Sequence, residues 1–466
     1  MSRWPAVFLV LAAPGLAAQQ APQPPMDSAR VAGILALLKT SDSTVCELAG
    51  QAITNTWGFP WEPKLLPTPT PMPMPTPMPM PMAMRMGVRI PRIKVHAHHG
   101  WNWHREDAAP AGAFRAVLRD DSRCVRNIAA RALGRARAPA TYDAFVALLR
   151  DASPGLRETG ALGLGELDDP RALQPLTNAL RDRDAGVRAM AARGLGELED
   201  STSIAALARA LDDAAPQVRV AAAWALGEIE TPRVIEPLSE ALRDRVTDVR
   251  EMAAWALGQI ESARAIPALG GALKDASPGV RRAAAWALGQ IEDAGAVDLL
   301  VPLLRDQDLH VRLAAAHALG EIQSPQAVRP LGGLVGDDSP DVKRAAIWGL
   351  GEIQDASAIE PLSVALKDAD PEARQLAAWA MGEIEGADAV APLVAALKDR
   401  EPDVRVAAAW ALGQIESARA VEALKAALND EASEVRGAAR WALAQIEDED
   451  AVRPRVKARP RVKNRI

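Results

Sequence analysis

The stretch that decides the fold runs from Val218 to Ile229 and reads V-R-V-A-A-A-W-A-L-G-E-I. Its pattern returns every 31 residues along most of the chain. The glycine of the stretch, Gly227, recurs at Gly134, Gly165, Gly196, Gly258, Gly289, Gly320, Gly351, Gly382 and Gly413, with Ala444 in the eleventh place. A fixed period of this size is typical of a solenoid, in which each unit buries its apolar face against its neighbours. The sequence therefore predicts an all-α solenoid built from 31-residue helix pairs.

Each unit is predicted to hold a first helix, a short turn and a second helix. An aspartate lies in the turn of all eleven units, and a basic residue follows six positions later, which is Lys343 in one unit and Arg in the others. We expect the aspartate to cap the second helix. Proline lies in the first turn of six second helices, where a missing N–H costs nothing. Another proline column lies within the first helix and is expected to kink it: Pro175, Pro237, Pro330, Pro361 and Pro392.

These units resemble HEAT-like repeats of the phycobilin-lyase type, whose pattern is A-V-x-P-L-x-x-A-L-x-D-x-x-P-x-V-R-x-A-A-A-x-A-L-G-x-I. The resemblance covers most of the chain. It implies a right-handed superhelix of HEAT-like helix pairs with the second helices lining the concave side. It also implies that the Asp and Arg columns form a ladder of hydrogen bonds between successive units.

Successive residues of the second helix are rotated by about 100°, which separates two stripes on its surface. The core stripe comprises Val218, Ala222, Ala225, Leu226 and Ile229. A second arc is predicted to form the exposed, concave surface and comprises Val220, Ala221, Trp224 and Glu228. The repeat thus separates a face that builds the fold from a face available to a partner.

Two columns on that second face have the composition of a binding surface. The first is the tryptophan column, in which His317 takes one place: Trp224, Trp255, Trp286, Trp348, Trp379, Trp410 and Trp441. The second lies four residues further on and holds Glu228, Gln259, Gln290, Glu321, Glu352, Glu383, Gln414 and Gln445. Between them lies a variable column that includes Val220, Arg282 and Gln375. We predict that the tryptophans, His317 and the four glutamates bind a protein or peptide, although each ring could equally fill the gap between units.

Enzyme motifs are absent from the sequence, which contains no P-loop, nucleophile elbow, H-E-x-x-H or dinucleotide fingerprint. Deoxyhypusine hydroxylase, a HEAT-repeat enzyme, would bind two irons through His-Glu dipeptides, but none of the six histidines here precedes Glu. Bilin lyases share the repeat, but an exported chain with no evident pigment partner argues against that activity. A net charge of −6 gives no case for nucleic acid as a partner. We therefore expect a non-enzymatic scaffold without a cofactor, and a lyase or hydroxylase of the HEAT family is the weaker alternative.

The chain begins with the pattern of a secretory signal. Arg3, the apolar stretch from Ala6 to Leu16 and the small residues Gly15 and Ala17 predict a signal peptide over residues 1–18, cleaved near Ala17-Ala18. The apolar stretch is too short to span a membrane. The predicted location is therefore the periplasm or the extracellular space.

The remaining segments are assigned from composition and from the repeat. We interpret residues 19–27 as a disordered lead, 28–57 as a degenerate capping repeat, 58–110 as a Pro/Met/His-rich insert and 111–447 as eleven repeats. Residues 448–466 form a basic C-terminal tail. The tail is expected to be solvated, with contact to an anionic envelope surface as the alternative.

The insert offers an alternative function, that of a protein that handles or senses copper. Its thioethers and imidazoles suit copper or zinc, and they belong to Met72, Met74, Met78, Met80, Met82, Met84, Met86, His96, His98, His99 and His104. A Pro-Met linker without ligands explains the same composition.

Export would also permit a disulfide between Cys46 and Cys124, the only cysteines. Neighbouring second helices lie about 8–10 Å apart, however, which is wide for such a bridge.

Overall fold

The computed structural model describes residues 31–33, 35–36, 108–136 and 141–452, and every regular element within these ranges is a helix. The first helices of the units are α1 (Ala108–Ala116), α3 (Thr141–Leu148), α5 (Leu173–Ala179), α7 (Ile204–Ala210), α9 (Ile235–Ala241), α11 (Ile266–Ala272), α13 (Val297–Leu300), α15 (Val328–Gly332), α17 (Ile359–Ala365), α19 (Val390–Ala396) and α21 (Val421–Ala427). The second helices are α2 (Arg123–Arg135), α4 (Pro154–Gly165), α6 (Ala185–Glu197), α8 (Pro216–Glu228), α10 (Thr247–Gln259), α12 (Pro278–Ile291), α14 (Leu309–Glu321), α16 (Pro340–Ile353), α18 (Pro371–Ile384), α20 (Pro402–Gln414) and α22 (Ser433–Val452). The all-α solenoid of helix pairs is confirmed, and the first helix of the regular array begins at Ala108, three residues before the predicted start at 111.

The chain divides into two compact bodies, residues 1–256 and residues 257–466. In the first body, the second helices α2, α4, α6 and α8 lie side by side. In the second body, α12, α14, α16, α18, α20 and α22 do the same. First helices pack against the second helix of their own unit, as α5 does on α6 and α17 on α18. The second helices of each body therefore form one layer, and the first helices form the other.

The predicted core stripe of the second helix is confirmed. Val218, Ala222, Ala225 and Leu226 have no exposed surface, and Ile229 is 8% exposed. Burying a leucine side chain stabilises the fold by about 2 kcal/mol. The alanines contribute in another way, because their small side chains let neighbouring second helices approach closely.

The prediction that the first-helix prolines kink their helices is wrong. From α5 onward, each first helix is preceded by a short 3-10 turn, such as Pro170–Ala172 before α5. Pro175 is consequently the third residue of α5, within the first turn, where backbone N–H groups need no intrahelical partner. The same junction precedes α7, which has Ala206 at this position, so proline does not cause it. Proline in the first turn of the second helices is confirmed, as at Pro216 of α8.

The implied ladder of hydrogen bonds is confirmed between most successive units. Arg157 donates from Nε and Nη2 to the carboxylate of Asp182 in the next unit, at 2.7 and 2.8 Å. Its Nη1 donates to the backbone oxygens of Asp151 and Ala152 in its own unit, at 3.0 Å each. Two further pairs in the first body and three in the second share this bidentate geometry: Arg188–Asp213, Arg219–Asp244, Arg281–Asp306, Arg374–Asp399 and Arg405–Asp430.

The turn aspartate does not cap the second helix, which corrects the prediction. Oδ1 of Asp182 accepts from the backbone N–H of Asp184 at 2.9 Å, and Asp184 is the residue that caps α6. All eleven turn aspartates bond the N–H two residues on in this way. The carboxylate therefore fixes the turn and receives the arginine of the preceding unit.

The ladder departs from this geometry at three places. Arg126 donates from Nε to Thr159 at 3.2 Å. Lys343 reaches Asp368 with a single bond of 2.8 Å. Arg312 bonds only backbone oxygens of its own unit, and its buried Nε has no partner among the described residues. The first helix that follows, α15, has only five residues, and this shortening coincides with the missing pair.

Exchanging lysine and arginine in the ladder is expected to change stability in opposite directions at two positions. Arg374→Lys loses one carboxylate bond and the bonds to the carbonyls of Asp368 and Ala369. We expect the free energy of unfolding to fall by about 1–3 kcal/mol. Lys343→Arg is expected to raise it by about 1 kcal/mol through the same added bonds. Urea denaturation measures both changes, and a fall in both variants would contradict this account.

The ladder also predicts a loss of stability in acid. Hydrogen bonds from Arg374 lower the pKa of Asp399, and hydrogen bonds from Arg157 do the same for Asp182. A carboxylate whose pKa is lowered by folding stabilises the fold above its unfolded pKa of about 4, and this contribution is lost as the pH falls through the folded pKa. We therefore expect Tm to be level near neutral pH and to fall below about pH 4. Asp399→Asn should lower Tm at pH 7 and reduce its acid dependence; an unchanged acid dependence would contradict the assignment.

Candidate functional site

Each tryptophan of the column lies against the glycine of the preceding unit. A Cβ placed on Gly382 would lie 2.8 Å from Cζ3 of Trp410 and 2.9 Å from Cα of Ala411, so only glycine leaves room for both. The same relation joins six further pairs: Gly196 with Trp224, Gly227 with Trp255, Gly258 with Trp286, Gly320 with Trp348, Gly351 with Trp379, and Gly413 with Trp441. The benzenoid edge of each ring therefore packs between units.

The exposure of the rings differs along the column. Trp224 is 4% exposed and Trp410 is 8% exposed, so these two rings are buried. Ala221 is fully buried as well, so the predicted exposure of the second arc is wrong for Ala221 and Trp224. The other five tryptophans are half-buried: Trp255, Trp286, Trp348, Trp379 and Trp441. Packing thus accounts for one edge of every ring, while these five keep part of their surface accessible to a partner.

His317 occupies a place in the column without reproducing a tryptophan. Its ring centroid lies 5.0 Å from that of Trp348, and the three atoms nearest to a Cβ on Gly289 all belong to Ala318. Burial lowers the pKa of His317 to about 4, so the ring is neutral at pH 7. Its buried Nε2 has no hydrogen-bond partner within the described ranges. The structure therefore gives His317 the environment of a packing residue.

The four glutamates that were predicted to bind a partner lie at the C-terminal ends of their second helices. Glu228, Glu321, Glu352 and Glu383 are half-buried, and each lies in the last turn of its helix. Burial raises the pKa of Glu383, and the nearby charges of Glu352 and Glu385 raise it further. The carbonyl end of a helix carries partial negative charge as well. We call the C-terminal ends of α14, α16 and α18, with Glu321, Glu352 and Glu383, the acidic edge.

Further acidic side chains follow directly after these helices. Glu385 comes one residue after α18 and has a φ of 53°, in the left-handed region that favours glycine. The same position in other units has positive φ without glycine, at Asp168, Glu199, Glu230, Glu261, Glu292, Gln323, Gln354 and Glu416. The repeat therefore places acid or amide side chains where glycine would fit the backbone with less strain.

A groove in the first body was not predicted from the sequence. It has a volume of about 560 Å³ and lies on the second-helix side, among α2, α4, α6 and α8. Its lining includes Arg123, Glu158, Gly186 and Met190. Arg123 approaches the Glu158 carboxylate at 3.1 Å, and a Cβ on Gly186 would collide with that carboxylate. The small residues at the start of α6 were the available signal, because larger side chains there would fill the groove.

Several predicted residues lie outside the described residues. They include the methionines of the insert, from Met72 to Met86, and the histidines from His96 to His104. Metal binding by the insert stays a prediction. Elsewhere, in the part of the chain that is described, no group of three or more acidic, His or Cys side chains is placed to hold a metal ion.

Further features bear on the prediction of export. Cys124 is disulfide-bonded. Cys46, the only other cysteine of the chain, lies outside the described residues, so the pair itself stays a prediction. The signal peptide and the basic tail lie outside them too. None of the described helices combines the length and apolar character of a membrane span.

The repeat pattern, the paired helices and the ladder agree with one known family. Seven overlapping segments match HEAT repeats: residues 113–185, 174–250, 211–278, 237–308, 271–339, 332–401 and 390–454. The chain belongs to the HEAT-repeat family. No curated protein matches it.

Two solved structures, importin beta and Kap95p, have the same fold. Importin beta is similar over 91% of this HEAT chain and 65% of its own, with a TM-score of 0.58 and 15% identity. Kap95p, in a complex with RanGDP, is similar over 90% of this chain and 62% of its own, with a TM-score of 0.52 and 13% identity. A chain from the complex of CpcE and CpcF of phycocyanin lyase from Nostoc sp. is similar over 48% of this chain and 93% of its own, with a TM-score of 0.33 and 26% identity.

The contact between glycine and tryptophan predicts opposite effects for two Gly→Ala changes. Gly382→Ala forces a Cβ against Trp410 and the backbone of Ala411, so the free energy of unfolding should fall by about 1–3 kcal/mol. Gly437 in α22 has no atom within 4 Å of the added Cβ, and alanine favours the helix. Gly437→Ala should therefore raise stability by up to about 1 kcal/mol. Equal effects of the two changes in urea denaturation would refute the packing role of the glycine column.

Proposed function

We propose that this HEAT-repeat protein is an exported, non-enzymatic scaffold that binds an extended segment of a protein partner. The binding surface in this proposal is the second-helix face, which the resemblance makes the concave one, in the second body. The proposal rests mainly on one observation: Trp348 and Trp379 keep half-buried rings directly beside the acidic edge. Export rests on the sequence of residues 1–18.

The tryptophan rings have the properties of anchors at a binding surface. Their benzenoid edges are held in place by Gly320 and Gly351, so the rings are rigid before a partner arrives. A rigid aromatic ring loses little conformational entropy on binding, and tryptophan is enriched among residues that dominate binding energy. A half-buried ring at the edge of an apolar layer offers both a contact face and a defined position.

The charges beside the rings favour a cationic partner segment. Glu352 and Glu383 follow Trp348 and Trp379 by four residues, which places each carboxylate and ring on the same side of a helix. A lysine or arginine between them would contact a carboxylate and the face of a ring at once. The second-helix face therefore suits a segment that carries basic and apolar residues.

In this proposal the Asp–Arg pairs of the ladder stabilise the fold and have no catalytic role. Asp and Arg of the ladder bond each other and the backbone, as at Arg374 and Asp399. Their repetition in successive units fits a structural role better than a single catalytic site. Kap95p, which shares the fold, binds the protein RanGDP, and this likeness shows that such a fold can hold a protein.

Selection of displayed peptides tests the proposal. The purified full chain is used to select from a random peptide library, and basic peptides with apolar residues are expected to be enriched. Trp379→Ala should then weaken binding of the selected peptides at least about tenfold, as expected for an interface anchor. The matched control is Val364→Ala in α17, an exposed apolar residue on a first helix, which should leave affinity unchanged.

The result that would contradict the proposal is specific. If Trp379→Ala lowers Tm but leaves peptide affinity at the value of the Val364→Ala control, the tryptophan column serves packing alone. The scaffold function would then lose its binding surface.

A further inference from the structure

We propose that the C-terminal tail of this chain, residues 453–466, binds at Trp379 and the acidic edge and thereby occupies the face assigned above to a partner. The inference rests on the proposed function, because it names a built-in competitor for the same surface. An external basic segment would have to displace the tail before it could bind.

The acceptor side of the contact centres on Glu383. Its carboxylate is half-buried, and within the described ranges no Lys or Arg nitrogen lies within 4.0 Å of it. Glu352 and Glu385 lie near enough to disfavour its charge. A cation placed here would relieve this repulsion, and the ring of Trp379 one turn earlier could contact the same cation.

The helix ends add to the negative potential at this site. None of α14, α16, α18 and α20 carries a basic residue in its last turn. Helices are usually stabilised by Lys or Arg there, because the carbonyl end is partially negative. Glutamate at this position opposes the stability of the helix itself. Glu383 therefore gains most from a cation supplied by another segment.

The tail carries complementary charge in a regular pattern. Its basic residues occupy every second position, at Arg453, Arg455, Lys457, Arg459, Arg461, Lys463 and Arg465. In an extended chain, alternate residues point to the same side, so all seven cations can face one surface. Pro454 and Pro460 oppose a helix in this segment. Seven of the 54 basic side chains lie in the tail, so its removal changes the formal net charge from −6 to −13.

The tail is long enough to reach the site from the end of its own chain. It follows α22, which packs on α20, and α20 packs on α18, where Trp379 lies. Neighbouring packed helices are about 8–10 Å apart, so α18 is about 20 Å from α22. Fourteen extended residues span up to about 46 Å. The same chain can therefore supply the occupant without a second copy.

Competition with a synthetic peptide tests the inference. The probe is a fluorescently labelled peptide of residues 453–466, and its affinity is measured by anisotropy at fixed ionic strength. The proteins are the full chain and a full-length tail-neutral variant, in which the seven basic tail residues are replaced by Gln. We expect the tail-neutral variant to bind the peptide at least about tenfold more tightly, because the native tail competes at high effective concentration.

Matched charge variants locate the contact. In the tail-neutral background, Glu383→Gln should weaken peptide binding at least about threefold, whereas Glu360→Gln should leave it unchanged. Glu360 is an exposed glutamate of α17, so it controls for general loss of negative charge. Both variants should retain the parent Tm within about 2 °C, since surface changes rarely alter stability strongly.

Three results would overturn the inference. The first is equal peptide affinity for the full chain and the tail-neutral variant. The second is an equal loss of affinity in Glu383→Gln and Glu360→Gln, which would indicate unspecific attraction. The third is binding of the peptide to anionic phosphatidylglycerol vesicles but not to either protein, which would assign the tail to a membrane surface. In each case, displayed peptides that still bind through Trp379 would leave the proposed function intact.

Discussion

The close approach of neighbouring second helices is the constraint on which the rest of this structure depends. Gly382 has no side chain, so Trp410 and Ala411 of the next unit fill the space that a Cβ would need. The same contact recurs through each body, which fixes the distance between units at the C-terminal ends of the second helices. The position of each tryptophan is therefore set by packing between units. The accessible surface of a ring is the part that this packing does not cover.

The other end of each second helix is fixed by the ladder. Arg219, the fourth residue of α8, holds the carboxylate of Asp244 and backbone carbonyls of its own turn. Where the arginine–aspartate pair forms, successive units are thus bound at two separated places, by charge-assisted hydrogen bonds and by apolar contact. Glu383 belongs to neither arrangement and opposes the helix dipole. The position of Glu383 therefore calls for an explanation other than the packing of the repeats.

Much of the fold could be predicted from the sequence, because the residue pattern within a single second helix, repeated every 31 residues, is enough to predict it. The core stripe at Val218 and Leu226 depends only on the helical period, and the structure buries both residues. The burial of Trp224 depends on the distance to Gly196 in another unit, which a helical projection does not contain. The unpaired Nε of Arg312 could not be predicted, because Arg312 and Asp337 fit their columns like the pairs that do form. The groove at Glu158 likewise arises from small residues on a neighbouring helix.

The most direct test of the central claim is fluorine NMR of the full chain labelled with 5-fluorotryptophan. The claim is that half-buried rings beside the acidic edge contact a cationic segment, whereas buried rings only pack. Single Trp→Phe variants assign the resonances, and the spectra of the native chain and the tail-neutral variant are compared. The account predicts that the resonances of Trp348 and Trp379 move while those of Trp224 and Trp410 stay in place. Unchanged resonances of Trp348 and Trp379, or shifts confined to the buried rings, would contradict it.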